Sequence, residues 1–484
     1  MKTLILDGIF AYKDFDKNFN GKTTLEIIFE KAKLNGFDRY ILIQNGKISQ
    51  TPSGIKNVIL DSFDPETIID AIISESLNSE TVVVFNSGNP FYDHIFVGKM
   101  LERHEKYVSD YTYAIGYPEG LSPVILRGNI IKELKKLVEN DDVVKKDYLF
   151  YALSKDINSF DIETFLSDYD LRIHRIKFGL SDAGEEVLTT KLFDIFKNNF
   201  TVDSLTEYLN NNLDKIYTVP YMLNIEITNY STVKSAYLPE PKSNDKNFDF
   251  NLFKKTVTDF KKINDKFYLL LGGKGDPVLH ENFYEILDFL NVNSIETVIE
   301  TYGIDFDFEK LKSIDNFQNE KFSFVLKFDS YYEETYNKIN LGGDFNRLQN
   351  AYKTLKENNF KVYKQIVRTI ENEEEIEKYI KNKESDDLII RKYSTFCSKL
   401  EDKKVVDLSP LERIPCFHLR REIFINSSGE VCFCSYNYEK IIGDLKSETS
   451  SQIVEKMKKL YEKNALGQYE DRCKNCDDYY IFNF

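Results

Sequence analysis

NIEITNYSTVKSAYLP occupies residues 224–239, and the fold is read outward from it. LNIEITN (223–229) has the apolar density of a buried strand. Ser231, Ser235 and Leu238 follow, and Pro239 closes the segment. Pro220 opens the series to which this strand belongs. Further strand candidates are KFYLLLGG (266–273), SIETVIETYG (294–303), FSFVLKFDS (322–330) and KVYKQIVRTI (361–370). Helical stretches separate them, FNRLQNAYKTLKENN (345–359) being the plainest. Such alternation predicts β/α units in the number of a partial or full barrel. The polar run EPKSNDKNFDF (240–250) reads as a loop.

Upstream, a separate α/β series is expected. KTLIL is strand-like, and Asp7 interrupts MKTLILDGIF, so it reads as a buried strand rather than a signal peptide. TTLEIIFEKAKLNG (23–36) has helical spacing and stops at Gly36. RYILIQNG (39–46) is a strand with a turn at Asn45-Gly46, PETIIDAIISESL (65–77) a helix, and TVVVF (81–85) a buried strand. This spacing predicts a parallel sheet. KLFDIFKNNF (191–200) and SLTEYLNNNL (204–213) continue as helices. SKLEDKKVVDLSPLERIP (398–415) reads as a connector to a small cysteine-bearing region. The predicted division is therefore 1–215, 216–397 and 398–484.

With 42% hydrophobic and 30% charged residues, the chain is globular. Its net charge of −15 repels nucleic-acid backbones and anionic lipid, so neither is an expected partner. No apolar run reaches the ~20 residues of a bilayer span. A cytoplasmic protein is expected, with a protein or small-molecule partner.

Of the six cysteines, Cys416, Cys432, Cys434, Cys473 and Cys476 are clustered towards the C-terminal end. Such clustering in a large, unexported chain points to metal rather than disulfides. Cys473-x-x-Cys476 lets two sulfurs reach one centre from a single turn. EIFINSSGEVCFCS (422–435) reads as a hairpin, and strand alternation predicts Cys432 and Cys434 on one face. One of that pair is then surplus to a four-thiolate site. Four thiolates can enclose a [4Fe–4S] cluster or zinc. Free buried thiols are the plainer alternative. His418 reads as a hydrogen-bonding residue that could replace a thiolate, and Cys397 as isolated and structural.

The C-terminal arrangement resembles a SPASM domain, the auxiliary iron-sulfur module of many radical S-adenosylmethionine (SAM) maturases. The resemblance selects Cys416, Cys434, Cys473 and Cys476 as ligands. Residues 224–239 are similar to the radical SAM segment I-T-N then CxxxCxxC then proline, with Ser231, Ser235 and Leu238 at the three cysteine positions. LLLGGKGDPVLHENFYEIL (269–287) resembles G-G-E-P-x-L-H, which implies a vestigial SAM site at Gly273, Gly275 and Asp276. ETYGI (300–304) stands where that family has T-N-G. FDSYYEETY (328–336) resembles its S-L-D segment, and Lys327 replaces a small hydroxyl residue near the ribose. VDLSPLERIPCFHLRREIFI (406–425) and CKNCDDYYIFNF (473–484) are similar to the spiro-SPASM family, which joins a nucleotidyltransferase-like region to radical SAM and SPASM regions.

GKTTLEIIFEKAKLNGFDRYILI (21–43) and DYTYAIGYPEGLSPVIL (110–126) resemble sugar-activating cytidylyltransferases. That resemblance implies a nucleotide or metal site at Lys22, in FDKNFNGK (15–22), and Asp182, in LSDAGEE (180–186). S-G-N-P (87–90) puts Gly88 where those enzymes carry a magnesium aspartate, which argues against Mg²⁺.

Chemically, the serine and leucine replacements are decisive. A thiol ionises near pH ~8.5 and metal lowers this further, whereas a serine alcohol is a hard, reluctant ligand. Leu238 offers no donor. The expectation is a degenerate radical SAM/SPASM protein with one auxiliary [4Fe–4S] cluster, acting as a scaffold, binding or redox-adaptor protein, and with weak grounds for SAM binding. The alternatives are a maturase with non-standard cluster ligation and a nucleotidyltransferase acting on a sugar or small molecule.

Overall fold

The computed structural model describes residues 1–10, 17–46, 51–139, 142, 144–197, 199–240, 247–382, 387–406, 410 and 412–480, without the side chains of 379–382. Parts of FDKNFNGK, of the 240–250 loop, of the 398–415 connector and of the C-terminal YIFNF lie outside the described residues. The chain forms two compact units, Met1–Thr218 and Val219–Phe484.

In the first unit the apolar runs become strands β1 (Lys2–Gly8), β2 (Arg39–Gln44), β3 (Lys56–Ile59), β4 (Thr81–Asn86), β5 (Tyr111–Ile115), β6 (Val124–Arg127) and β7 (Ile162–Leu166). Their order is β3-β2-β1-β4-β6-β5-β7. β1 to β4 pair in parallel, but β6 runs antiparallel to both β4 and β5. The sheet is therefore mixed, not parallel throughout. DYTYAI and PVIL face each other across a turn too short for the helical crossover that parallel pairing needs.

The helix cores are set by local chemistry. Thr23 and Glu26 form a reciprocal capping box before Thr24–Ala32, and Asp64 caps Pro65–Glu75 with proline at its first position. Ile68, Ile69 and Ile72 of the second helix bury fully against a core that includes Ile5, Ile41, Ile43, Val82 and Leu126. Burying each such side chain stabilises by about 1.5–3 kcal/mol.

The second unit holds a nine-stranded sheet. Its strands are β8 (Met222–Ile225), β9 (Tyr268–Leu271), β10 (Glu296–Thr301), β11 (Phe322–Lys327), β12 (Lys361–Arg368), β13 (Leu388–Lys392), β14 (Glu422–Ile425), β15 (Glu430–Cys432) and β16 (Ile441–Asp444). The order is β13-β12-β11-β10-β9-β8-β14-β15-β16. From β8 to β13 every pairing is parallel and sequential, with helices Phe250–Ile263, Phe283–Val292 and Phe345–Glu357 among the crossovers. β14 pairs in parallel with the outer edge of β8, Met222 opposite Glu422. The hairpin β14–β15 and then β16 continue the sheet antiparallel. Among the described residues, no helix is long and apolar enough to cross a membrane.

Candidate functional site

The segment after β8 does structural work. Ser231 Oγ donates to the Val233 carbonyl (2.8 Å) and accepts from the Val233 amide (3.1 Å), closing a local turn. Ser235 pairs with Asn340 in a two-residue ladder, its hydroxyl buried. Leu238 packs against Tyr237, Ile339, Val367 and Tyr393.

The three residues of the predicted SAM site are also engaged internally. Asp276 is buried; its carboxylate accepts from Thr301 Oγ1 (2.6 Å), the Tyr302 amide (3.1 Å) and the Val278 amide (3.3 Å). Burial pushes this carboxyl up, and those donors oppose the shift. A Cβ on Gly273 would stand 2.8 Å from Glu226 Oε2, and one on Gly275 would stand 2.1 Å from the Thr228 carbonyl oxygen. The glycines therefore admit the chain's own Glu226 side chain and Thr228 backbone. The buried Glu226 carboxylate accepts from the Lys274 amide at 2.9 Å.

The cysteines come from three segments. Cys416 precedes the short helix Phe417–Arg421, Cys434 follows β15, Cys473 lies within the 3₁₀ turn Asp471–Asn475, and Cys476 caps that turn. Cys434 Sγ accepts from the Asn437 amide (3.2 Å), and Cys476 Sγ from the Asp478 amide (3.3 Å). Burial pushes the Cys416 and Cys473 thiols up to about 12, and each feels the charge of Cys476. Cys434 rises through burial and through Cys416, Cys476 and Cys473.

Two expectations are corrected. β15 ends at Cys432 with a register irregularity at Val431/Cys432, so alternation does not carry to residue 434. Cys432 faces Glu226 and Lys274, while Cys434 faces the other cysteines. Nor is Cys397 isolated: its thiol meets that of Cys476, which is the main reason Cys476 is raised. It reaches there from three successive left-handed residues, Phe396, Cys397 and Ser398. Nothing in sequence spacing signals that approach.

Among the described residues, no three of His, Cys, Asp and Glu stand close enough to hold a single metal ion.

In the first unit, a cavity of about 200 Å³ opens beside the ends of β1 and β4, with Asp7, Asn86, Glu119, Lys146 and Tyr148 in its wall. Burial pushes the Asp7 carboxyl up to about 6. Lys146 bridges Glu119 and the buried Glu185. Sequence reasoning missed Asp7, Lys146 and Glu185, which lie far apart in the chain. Lys22 is not in this wall; its ammonium pairs with Glu30 at 2.6 Å in an exposed ion pair. Asp182 caps helix Ala183–Phe196, accepting from the Glu185 amide at 2.8 Å. Asp182→Ala is expected to cost about 1 kcal/mol by chemical denaturation, the loss of one helix cap. Wild-type stability that rises with Mg²⁺ and falls back in the variant would instead mark a metal ligand.

Residues 416–477 match the SPASM family, described as an iron-sulfur cluster-binding domain. The second unit thus ends in a SPASM domain. An uncharacterized protein of Treponema pallidum (strain Nichols) is 25% identical over 366 residues, covering 70% of this chain and 99% of that protein. Among solved structures, a cytidylyltransferase from Leptospira borgpetersenii overlaps 44% of this chain and 95% of its own, at 12% identity and a TM-score of 0.36. Streptococcus suis SuiB bound to the precursor peptide SuiA overlaps 73% of this chain and 84% of its own, at 14% identity and a TM-score of 0.43.

Proposed function

We propose that the protein is a SPASM scaffold or redox adaptor that keeps one closed [4Fe–4S] cluster and has lost radical SAM chemistry. The observation that carries this reading is that Ser231, Ser235 and Leu238 bring no thiol to the segment 224–239. Ser231 is spent on a local turn, and Leu238 belongs to an apolar cluster. Asp276, the acid of the implied SAM site, has its oxygens engaged by Thr301, Tyr302 and Val278.

Cys416, Cys434, Cys473 and Cys476 would hold the cluster. A four-iron cube takes one thiolate at each corner, so these four would complete it. Amides of Asn437 and Asp478 already donate to two of the sulfurs and favour the thiolate form. A cluster with four thiolates has no iron left open to substrate; it can stabilise the fold or pass electrons. We read 1–215 as a nucleotidyltransferase-like domain, 216–397 as the barrel and 398–484 as the cluster region. The net charge of −15 favours a protein or small-molecule partner in the cytoplasm over nucleic acid.

The test is metal and sulfide content after anaerobic purification of wild type and Cys473→Ala. We expect about four iron and about four sulfide per chain, lost in the variant. About one zinc with no sulfide overturns the iron assignment. Reductive cleavage of SAM to 5′-deoxyadenosine by the wild type overturns the non-radical reading.

A further inference from the structure

Three side chains from neighbouring strands converge at the C-terminal edge of the parallel strands in the second unit. Lys327 ends β11, and Gln365 of β12 is its register partner. Arg391 of β13 pairs with Val367, two residues beyond Gln365. Parallel partners and residues two apart share a face, so the three point to the same side. They line a cavity of about 50 Å³, together with Tyr237, Phe396 and Tyr436. The C-terminal edge is where α/β folds gather ligand groups.

Lys327 is the anomaly. It is 2% exposed, and among the described residues its ammonium has no hydrogen-bond partner. It lies over the Tyr302 ring, 4.9 Å from the centroid. Glu226, Asp276 and Asp329 feel its charge, but none accepts one of its protons. A buried ammonium left this way is destabilising unless an acceptor reaches it. The other cations in the wall are satisfied. Arg391 donates to Glu300 (2.9 Å) and Gln365 Oε1 (3.0 Å), and Lys392 donates to the Asp477 carbonyl.

We propose that this cavity binds a small carboxylate-bearing ligand, with a carboxylate oxygen on Lys327 Nζ and Arg391 beside it. The charged wall residues are Lys327, Arg391 and Lys392 against Glu300, which favours an anion. About 50 Å³ holds roughly four waters at 10–15 Å³ each, or a carboxylate with one or two carbons. A nucleotide or SAM does not fit in that space. The site stands on barrel strands and does not depend on the cysteines holding a cluster.

The test uses the full chain, purified anaerobically, at pH 7 and constant ionic strength. Sodium acetate is titrated against sodium chloride and the melting temperature recorded. The wild type is expected to show a saturable rise with acetate and none with chloride. In Lys327→Met the acetate affinity is expected to fall roughly tenfold or more, the loss of a charge-assisted hydrogen bond. A response that chloride reproduces overturns the proposal, as does one that Lys327→Met retains in full, or no acetate response at all. If Lys327→Met does not fold, the wild-type contrast of acetate with chloride still decides.

Discussion

Replacing Glu422 with alanine is expected to remove about 4 kcal/mol of stability from the second unit. Glu422 starts β14 and is 2% exposed. Its carboxylate accepts from Arg421 (3.0 Å) and Ser435 Oγ (3.1 Å), and His418 Nδ1 lies at 2.9 Å. Alanine leaves the arginine head without its buried counter-charge, which costs more than the pair contributes net. Burial alone would raise this carboxyl, but His418 and Arg421 overcome it and bring it down to about 2, against an ordinary 4.5. The folded state therefore holds the proton more weakly than the unfolded chain. The stabilisation is complete above about pH 4.5 and is lost as pH falls towards 2, about 3 kcal/mol in all. Denaturant titrations across that window should show the slope in wild type and not in Glu422→Gln. A cost below about 1 kcal/mol for Glu422→Ala would mean that the pair is screened as at a surface.

Gly275→Ala is the second large expected effect. The added Cβ would stand 2.1 Å from the Thr228 carbonyl oxygen, 2.7 Å from the Thr228 carbonyl carbon and 2.8 Å from the Tyr230 carbonyl oxygen. All three atoms are backbone, so no side chain can swing aside. Tyr230 O also accepts from the Asp276 amide at 2.8 Å, so moving it breaks that bond. A loss of about 3 kcal/mol or more is expected, as a lower melting temperature of the whole chain. The family resemblance ties this glycine to SAM, whereas here it lets two backbone segments touch. Wild-type stability in Gly275→Ala, with altered ligand binding only, would refute the packing role.

Much of the fold was legible because its strands are dense apolar runs. TVVVF and FSFVLK bury on both faces, which is the pattern of a parallel sheet under helices. β13, LIIRK, was missed because all five residues are only half-buried and follow a charged stretch. β7 was missed for a similar reason, being half-buried with one exposed residue. The antiparallel β6 escaped because strand direction depends on a turn, not on apolar content. At the cysteines, spacing brought out Cys473 and Cys476, one local turn. It could not bring out Cys397 beside Cys476, which depends on a left-handed turn closing over 78 residues of intervening sequence. The buried Lys327 was visible as an odd residue in its motif, but its missing acceptor is a property of three strands together.

The pairing of β14 with β8 has a consequence for synthesis on the ribosome. β8 is the first strand of its sheet to emerge, and one of its edges pairs with β14, residues 422–425. Nearly two hundred residues must be translated before that partner exists. Until then the nascent sheet presents a free row of amides and carbonyls, the kind of edge that recruits neighbouring chains. A fragment that ends before β14 keeps that edge uncovered, so the SPASM strands extend the sheet on the side where β8 would otherwise be bare.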